Sequence, residues 1–491
     1  MCVTIAVACL WGNEYAVAMS IPFKPAPAAS SPAYAAERLG TEPIVALLFR
    51  FSVPAITGMV VNALYNIVDR AFVGRGVSAL ALGGLALVMP LMTIMGAFAM
   101  LFGVGAANMI SVRLGEGRKD EAENALNHCF LLLVLSGVVM TTVCLPSLDF
   151  LVSLLGAQEG SESLEYTREY FRIILIGAVF STVGFGFSHC TRAQGFPKIT
   201  MVGMLIGAAT NALLDPLFIF VFHWGVKGAA LATIISQCAS SMWILSFSFS
   251  PKALIRLRLR TFKPSLKIVT QIVSFGSAQF LLQVVMSGVQ LLYNTSMSRY
   301  GVESLGVPNG GDIALSGMNI QGSVMFLFLM PVFGINQGAQ PILGYNYGAR
   351  QFKRVKKTYL YAVAAATSVC LVGFILAEAF PGSLVSIFAP DGDPKLVSFA
   401  IWTIRVALIL LPVVGFQVVS SNVFVVTGRP KTAIFLSMLR QCVLLIPCIL
   451  LFGRLWKLKG IVAAAPVADA CSSVFTAVLI YFEMKKLSRK T

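Results

Sequence analysis

Twelve apolar stretches, separated by short polar or charged segments, run along the chain from about residue 44 to residue 484. A helix needs about 20 residues to cross a hydrocarbon core of about 30 Å, and these stretches are long enough. We therefore predict twelve membrane-spanning helices, numbered here as spans 1 to 12. They fall at about 44–70, 79–112, 125–155, 168–191, 198–222, 228–249, 268–299, 313–343, 358–380, 398–426, 432–453 and 460–482.

Positive charge is distributed unevenly over the connections between the spans. If the N-terminus is cytoplasmic, the connections after even-numbered spans and the C-terminal tail hold 22 Lys and Arg residues, whereas those after odd-numbered spans hold nine. Cytoplasmic loops of membrane proteins carry the excess of Lys and Arg. We therefore predict a multi-pass protein of the cell membrane with both termini in the cytoplasm.

The two halves of the chain repeat one another. The sequence Ala-Leu-Gly-Gly at 81–84 matches Ala-Leu-Ser-Gly at 314–317, and Gly-Phe-Pro-Lys at 195–198 matches Gly-Arg-Pro-Lys at 428–431, with the same offset along the chain in both cases. Because each copy has an even number of spans, both run the same way through the membrane, as in parallel-repeat transporters. We predict an all-α integral membrane protein of two parallel six-helix repeats, an N-lobe and a C-lobe.

This organisation divides the chain into five predicted regions. Residues 1–43 are expected to be a flexible leader, because the apolar run Val3 to Trp11 lacks the preceding basic residue of a secretory signal. Met19 as the true start is an alternative. The other regions are the N-lobe at 44–249, a basic cytoplasmic linker at 250–267, the C-lobe at 268–484 and a basic cytoplasmic tail at 485–491.

Composition excludes several functions. Charged residues make up 12% of the chain and hydrophobic residues 57%, with a net charge of +16, whereas soluble domains are about 25% charged. The cations lie in loops and indicate topology rather than nucleic-acid binding. The ten cysteines form no CxxC pair, and no GxxxxGK[ST], HExxH or GxSxG motif is present. We therefore expect no enzyme activity, no cofactor and no metal site other than a possible Na+ site.

Carboxylates inside the spans are the sharpest chemical signal, because an ionised Asp at mid-membrane costs about 2.5 to 3.5 kcal/mol. Asp69 and Asp215 each lie about five helical turns outward from an inner-interface marker, Arg50 and Lys198 respectively, which predicts a common depth in the first lobe. Glu378, just before Pro381, is interpreted as an interface residue. Asp469 lies deeper and has no explanation from the sequence.

Each of the two N-lobe acids has a polar companion one helical turn earlier, Tyr65 for Asp69 and Asn211 for Asp215. A poorly solvated, hydrogen-bonded carboxyl can carry a proton. The alternatives are that Asp69 anchors a helix end at the interface, and that Asp215 with Pro216 caps a broken half-helix.

The repeat favours a function over an architectural role for the acids, because their counterparts in the second half are Met297 and Cys448. Pro54, inside span 1, weakens the helix that carries Asp69 and is a candidate conformational hinge. A kink without motion is the alternative.

Several stretches resemble the multidrug and toxic compound extrusion (MATE) family, in its bacterial MepA-like branch. They are 54–74 (PAITGMVVNALYNIVDRAFVG), 105–117 (GAANMISVRLGEG), 192–198 (RAQGFPK), 214–220 (LDPLFIF), 228–237 (GAALATIISQ), 340–349 (QPILGYNYGA) and 427–431 (TGRPK). The resemblance implies a V-shaped, two-lobed exporter of organic cations driven by inward H+ or Na+. It also implies a proton or cation site in the first lobe, at Asp69, Tyr65, Asp215, Asn211 and Thr233. One branch of the family has acids on spans 7 and 10, which are missing here, so we place coupling in the first lobe.

We therefore predict a secondary antiporter that exports organic cations or drugs in exchange for H+ or Na+ by alternating access. Asp69 and Asp215 are expected to bind the coupling ion and the cationic group of the drug in turn. A flippase or exporter of a lipid-linked or other amphipathic metabolite is the alternative, and a non-transporting scaffold is a further one. The predicted partners are small organic cations or amphipathic metabolites and the lipid bilayer, and the protein is expected to be monomeric.

Overall fold

The computed structural model describes residues 32–154, 162–258, 260, 262–307, 309–389 and 393–490, and the regular secondary structure in these ranges is helical. We number the helices α1 to α17. They are Pro32–Thr41, Ile44–Gly76, Ala79–Gly115, Lys119–Cys144, Leu148–Leu154, Glu162–Ile176, Ala178–Ala193, Pro197–Pro216, Gly225–Phe249, Leu266–Leu305, Gly310–Gly348, Phe352–Ala379, Pro381–Phe388, Pro394–Leu408, Leu411–Val426, Pro430–Met438 and Ile446–Ser488. Two π-helical segments, Leu217–Val221 and Leu439–Leu445, follow α8 and α16.

The membrane-spanning helices agree with the predicted spans. Within the described residues, nine helical stretches are long and apolar enough to cross a membrane. Two further spans are bent, the pair α6 and α7 by 60° and the pair α14 and α15 by 49°. The stretch Pro430–Ser488 is broken at Lys457, whose backbone is not helical, and so supplies two crossings. Together these make twelve, and the predicted all-α fold class is confirmed.

The packing between the two lobes follows the sequence repeat. The backbone of α3 at Gly115 approaches the carbonyl of Tyr345 on α11, and that of Gly348 on α11 approaches the carbonyl of Val112 on α3. In the sequence repeat, Val112 corresponds to Tyr345 and Gly115 corresponds to Gly348, at the same offset that relates 81–84 to 314–317. The two helices therefore cross as repeat partners. We call the end of the bundle where they cross, near the connection between α9 and α10, the linker end.

The linker itself packs against the first lobe rather than hanging free. The Asn127 side chain forms two hydrogen bonds with the backbone of Arg258, at 3.0 and 3.2 Å. The backbone N–H of Ser265 donates to His128 Nε2 at 3.0 Å, and that of Ile255 to Gln194 Oε1 at 3.3 Å. These bonds satisfy polar backbone groups of a segment that has no regular structure of its own.

Residues 32–41, which the sequence analysis placed in a flexible leader, form the helix α1; residues 1–31 of that leader lie outside the described part of the chain. The leader prediction missed α1 because it rested on the local sequence, whereas α1 is held by contacts with the distant second lobe. Leu39 is fully buried, and its carbonyl accepts from Asn346 Nδ2 at 2.9 Å. Arg354 on α12 donates to the carbonyl of Glu42 at 2.7 Å.

We expect Arg354→Ala to release α1 from the second lobe. The change removes the bonds that the guanidinium donates to the carbonyls of Leu39 and Glu42, at a local cost of about 1 to 3 kcal/mol, although the Leu39 carbonyl keeps its bond from Asn346. Hydrogen exchange of the backbone amides between Leu39 and Glu42 should become faster. The neighbouring Lys353→Ala, at an exposed position, is the matched control and should leave the exchange unchanged. Equal exchange in both variants would show that Arg354 does not hold α1.

Candidate functional site

Three helices of the first lobe bring the predicted site residues together. Tyr65 and Asp69 lie on α2, Asn211 and Asp215 on α8, and Thr233 on α9. The i, i+4 spacing places each companion on the same helix face as its acid. Asp69 is 7% exposed, Asp215 is fully buried, and Asn211 and Thr233 are buried as well.

Asp215 does not begin a new helix. It lies near the C-terminal end of α8, which continues through Pro216 into the π-helical segment Leu217–Val221 without a break. The alternative that Asp215 caps a broken half-helix is therefore wrong. Pro216 is tolerated because the π-helical segment after it rearranges the local hydrogen bonding, an irregularity often found at functional sites.

The two carboxyl groups face each other inside the lobe. The side chains of Asp69 and Asp215 lie close enough to interact directly, and Asn211 Nδ2 donates to Asp215 Oδ1 at 3.3 Å. Two ionised carboxylates so close would repel each other strongly, because buried charges are poorly screened. The pair therefore favours binding of a positive charge between its members.

Four buried oxygens of this cluster have no hydrogen-bond donor among the described residues. They are Asp69 Oδ1, Asn211 Oδ1, Asp215 Oδ2 and Thr233 Oγ1. Leaving a buried polar atom unpaired costs about 1 to 3 kcal/mol. All four can accept a hydrogen bond from a protonated partner or coordinate a hard cation through oxygen.

Tyr170 on α6 belongs to the same cluster and was missed by the sequence analysis. It is buried, and it lies beside Thr233 and close enough to both carboxyls to interact electrostatically. Its own helix carries no acid that enters the site, so no spacing within one span could reveal it. α6 and the following helix α7 meet at an angle of 60°.

Donor types limit what the cluster can hold. Among the described residues, no group of three or more His, Cys, Asp or Glu side chains is placed to bind a metal ion. Two carboxyls, an amide oxygen and hydroxyl groups instead suit a proton or an alkali cation, since oxygen ligands favour hard ions. The residues present are thus compatible with either H+ or Na+.

Pro54 lies inside α2, which runs without interruption from Ile44 to Gly76. One residue before Pro54 and one after it approach the second lobe closely. Ser52 lies against Gly338 and Ile56 against Gly334, both on α11. The linker end of α2 is therefore anchored to the other lobe, whereas Asp69 lies beyond Pro54 within its own lobe. The role of Pro54 as a hinge stays a prediction.

The other two intramembrane acids have partners that the sequence did not indicate. Glu378 is 3.9 Å from Arg405 and partly exposed, which agrees with an interface position. Asp469, which had no explanation, pairs with Arg440 at 2.5 Å and is 3% exposed. Neither acid lies in the first lobe with Asp69 and Asp215.

Two six-helix repeats that span a membrane, with a polar cluster buried in one of them, define a membrane transporter. The family model MatE matches residues 54–217 and 283–451, together more than half of the chain. The chain belongs to the MatE family, and the resemblance stated from the sequence is confirmed.

Curated relatives and solved structures agree with this assignment. The multidrug export protein MepA of Staphylococcus aureus is 25% identical over 454 residues, covering 91% of this chain and 96% of that protein. A solved multidrug resistance MATE family transporter in an outward-facing conformation matches with a TM-score of 0.84 and 25% identity, over 92% of this chain and 98% of that one. A MATE crystal structure in a bent conformation matches with a TM-score of 0.85 and 24% identity, over 93% and 98%. The protein thus has the V-shaped, twelve-helix fold of these transporters.

Proposed function

We propose that the protein is a secondary antiporter that exports organic cations or drugs in exchange for inward H+ or Na+. The main support is a set of buried side-chain oxygens that accept no hydrogen bond from a described residue. They belong to Asp69, Asn211, Asp215 and Thr233. The relatives, a multidrug export protein and a multidrug resistance transporter, support the choice of substrate class.

Competition for one site accounts for obligatory exchange. The face-to-face carboxyls of Asp69 and Asp215 bind a proton or Na+, or they attract the cationic group of a drug, but they cannot hold both at full strength. Entry of the coupling ion then favours drug release, because a ligand shifts an equilibrium only through its different affinity for the two states. Bending of α2 beyond Pro54 is the proposed link between ion binding and the shape of the first lobe.

The remaining parts of the proposal concern where the protein works. We place it in a bacterial cytoplasmic membrane, because its relative MepA is bacterial. Both termini are placed inside, because the cations of the connections concentrate at the linker end. A single chain holds both lobes and the complete cluster, so a monomer suffices for transport.

Efflux of ethidium from cells that lack other pumps tests this function. Cells that express the protein should export the dye, and a protonophore added midway should stop export if H+ is the coupling ion. Export that survives the protonophore but requires external Na+ would identify Na+ instead. Absence of export under both gradients would contradict the proposal and favour a flippase of amphipathic metabolites.

A further inference from the structure

The second lobe contains a buried ion pair that the proposed function leaves without a role. Arg440 lies in the π-helical segment after α16, and its Nε donates to Asp469 Oδ1 on α17. Asp469 is almost completely buried, whereas 25% of the Arg440 side chain is accessible. Such an ion pair contributes little to the stability of the fold, because the cost of removing two charges from water is about as large as the gain from their attraction. A structural role alone therefore does not account for it.

The guanidinium of Arg440 still has hydrogen-bonding capacity. Arg carries five N–H groups arranged so that two different edges can each bind a carboxylate. Only the Nε bond to Asp469 is formed with a described residue. The remaining donors belong to the partly accessible side chain, so a second acceptor can approach them.

Tyr293 on α10 adds a second donor at the same place. Its side chain is 7% exposed, and its hydroxyl has no hydrogen-bond partner among the described residues. It is close enough to interact electrostatically with Arg440, Asp469 and Cys448. Tyr293 is also the repeat counterpart of Tyr65, because Leu-Tyr-Asn at 64–66 recurs at 292–294. Each lobe therefore places a tyrosine beside its buried charges.

The position of Asp469 is reinforced by α15. Gln417 Nε2 donates to the Asp469 carbonyl and to Ser472 Oγ, both at 2.8 Å. The backbone of α17 at Asp469 is therefore fixed, and Asp469 in turn orients Arg440. Side chains held by their neighbours in this way form a preorganised site, which lowers the entropic cost of binding.

The chemistry of this cluster differs from that of the first lobe. There two carboxyls face each other, whereas here the positions equivalent to Asp69 and Asp215 are Met297 and Cys448. What is left unpaired at the second-lobe cluster is mainly hydrogen-bond donors, namely the guanidinium and the Tyr293 hydroxyl. Donors around a positive charge select an anionic group, and the planar guanidinium fits a carboxylate in particular.

We propose that Arg440 and Tyr293 form a second-lobe subsite for the carboxylate of an organic substrate, with Asp469 holding Arg440 in place. This subsite would recognise substrates that carry a carboxylate as well as a cationic group. The inference rests on the proposed export function and assigns residues to the recognition of such substrates.

The test compares two dyes that differ in one group: a rhodamine methyl ester, which is a cation, and the free acid of the same dye, which is a zwitterion. Uptake is measured in energised inside-out membrane vesicles that contain the full-length protein. The wild type should take up both dyes. Arg440→Gln should lower uptake of the free acid about tenfold or more, as expected for loss of a charge-assisted hydrogen bond, and leave uptake of the ester within about twofold.

Three further variants guard against misfolding and a purely structural role. Arg440→Lys keeps the positive charge but loses the planar guanidinium, and it should show more free-acid uptake than Arg440→Gln. Tyr293→Phe removes one hydroxyl and should lower free-acid uptake selectively. Arg440→Gln combined with Asp469→Asn leaves no unpaired charge, so it should fold and still lose the free acid.

Each of three results would overturn the subsite. They are uptake of the ester but not of the free acid by the wild type, equal loss of both dyes in the folded variants, and no change for either dye. If the wild type transports neither dye, the export function itself fails and the subsite falls with it, a result that is distinct from the other three.

Discussion

Replacing Asp69 or Asp215 with asparagine is expected to reduce dye export to the background of cells without the protein, while insertion into the membrane stays normal. Asparagine keeps the shape of the side chain but neither ionises nor releases a proton. In either variant the pair loses half of its capacity to bind a positive charge. Efflux of ethidium, measured together with the amount of protein in the membrane, tests this expectation.

The same experiment has an internal test of coupling and a matched control. Because the two carboxyls face each other, the double variant should be no worse than either single variant, since residues that act as a unit are not additive. Asp312→Asn changes an exposed acid at the start of α11 in the other lobe and should leave export unchanged. Normal export by both single variants at Asp69 and Asp215 would remove them from the mechanism.

The sequence predicted the first-lobe cluster well because its signals are local. An acid inside an apolar span is costly and therefore conspicuous, and a polar companion one turn earlier shares its helix face. Asp69 with Tyr65 and Asp215 with Asn211 are both of this kind. The structure places all four with Thr233 in one cluster, but their role in coupling stays a prediction.

Features that depend on contacts between distant helices could not be predicted from these local signals. Tyr170 reaches the cluster from α6, a helix that holds none of the predicted site residues, and Asp469 pairs with Arg440 across the break at Lys457. The docking of α1 similarly rests on Arg354, which lies far away along the chain in the second lobe. Composition and periodicity describe one element at a time, whereas these contacts are properties of the packed molecule.

The first-lobe cluster and the second-lobe ion pair each include a residue at a π-helical segment. Asp215 lies just before one segment and Arg440 within the other. A π-helical turn widens the helix locally and changes the direction of side chains, and it has no simple sequence signature. In each lobe one member of the buried polar cluster, Asp215 or Arg440, therefore lies where the backbone is irregular.

The close crossing of α3 and α11 is expected to hold the two lobes together at the linker end. Gly115→Ala should weaken closure of the lobes and lower export at least several-fold. A Cβ at Gly115 would collide with the carbonyl of Tyr345, so the helices must separate, and overpacking of this kind costs about 1 to 3 kcal/mol.

Matched glycines make the prediction specific. Gly348→Ala should reproduce the effect, because its Cβ would collide with the carbonyl of Val112 at the repeat-related position. Gly96→Ala lies on the same helix as Gly115 but its Cβ would meet no atom within 4 Å, so export should be unchanged. Faster hydrogen exchange in the last two turns of α3 and α11 should accompany the loss of export in the first two variants only. If Gly115→Ala and Gly96→Ala behave alike, the close crossing is not required for transport, and contacts elsewhere at the linker end must close the lobes.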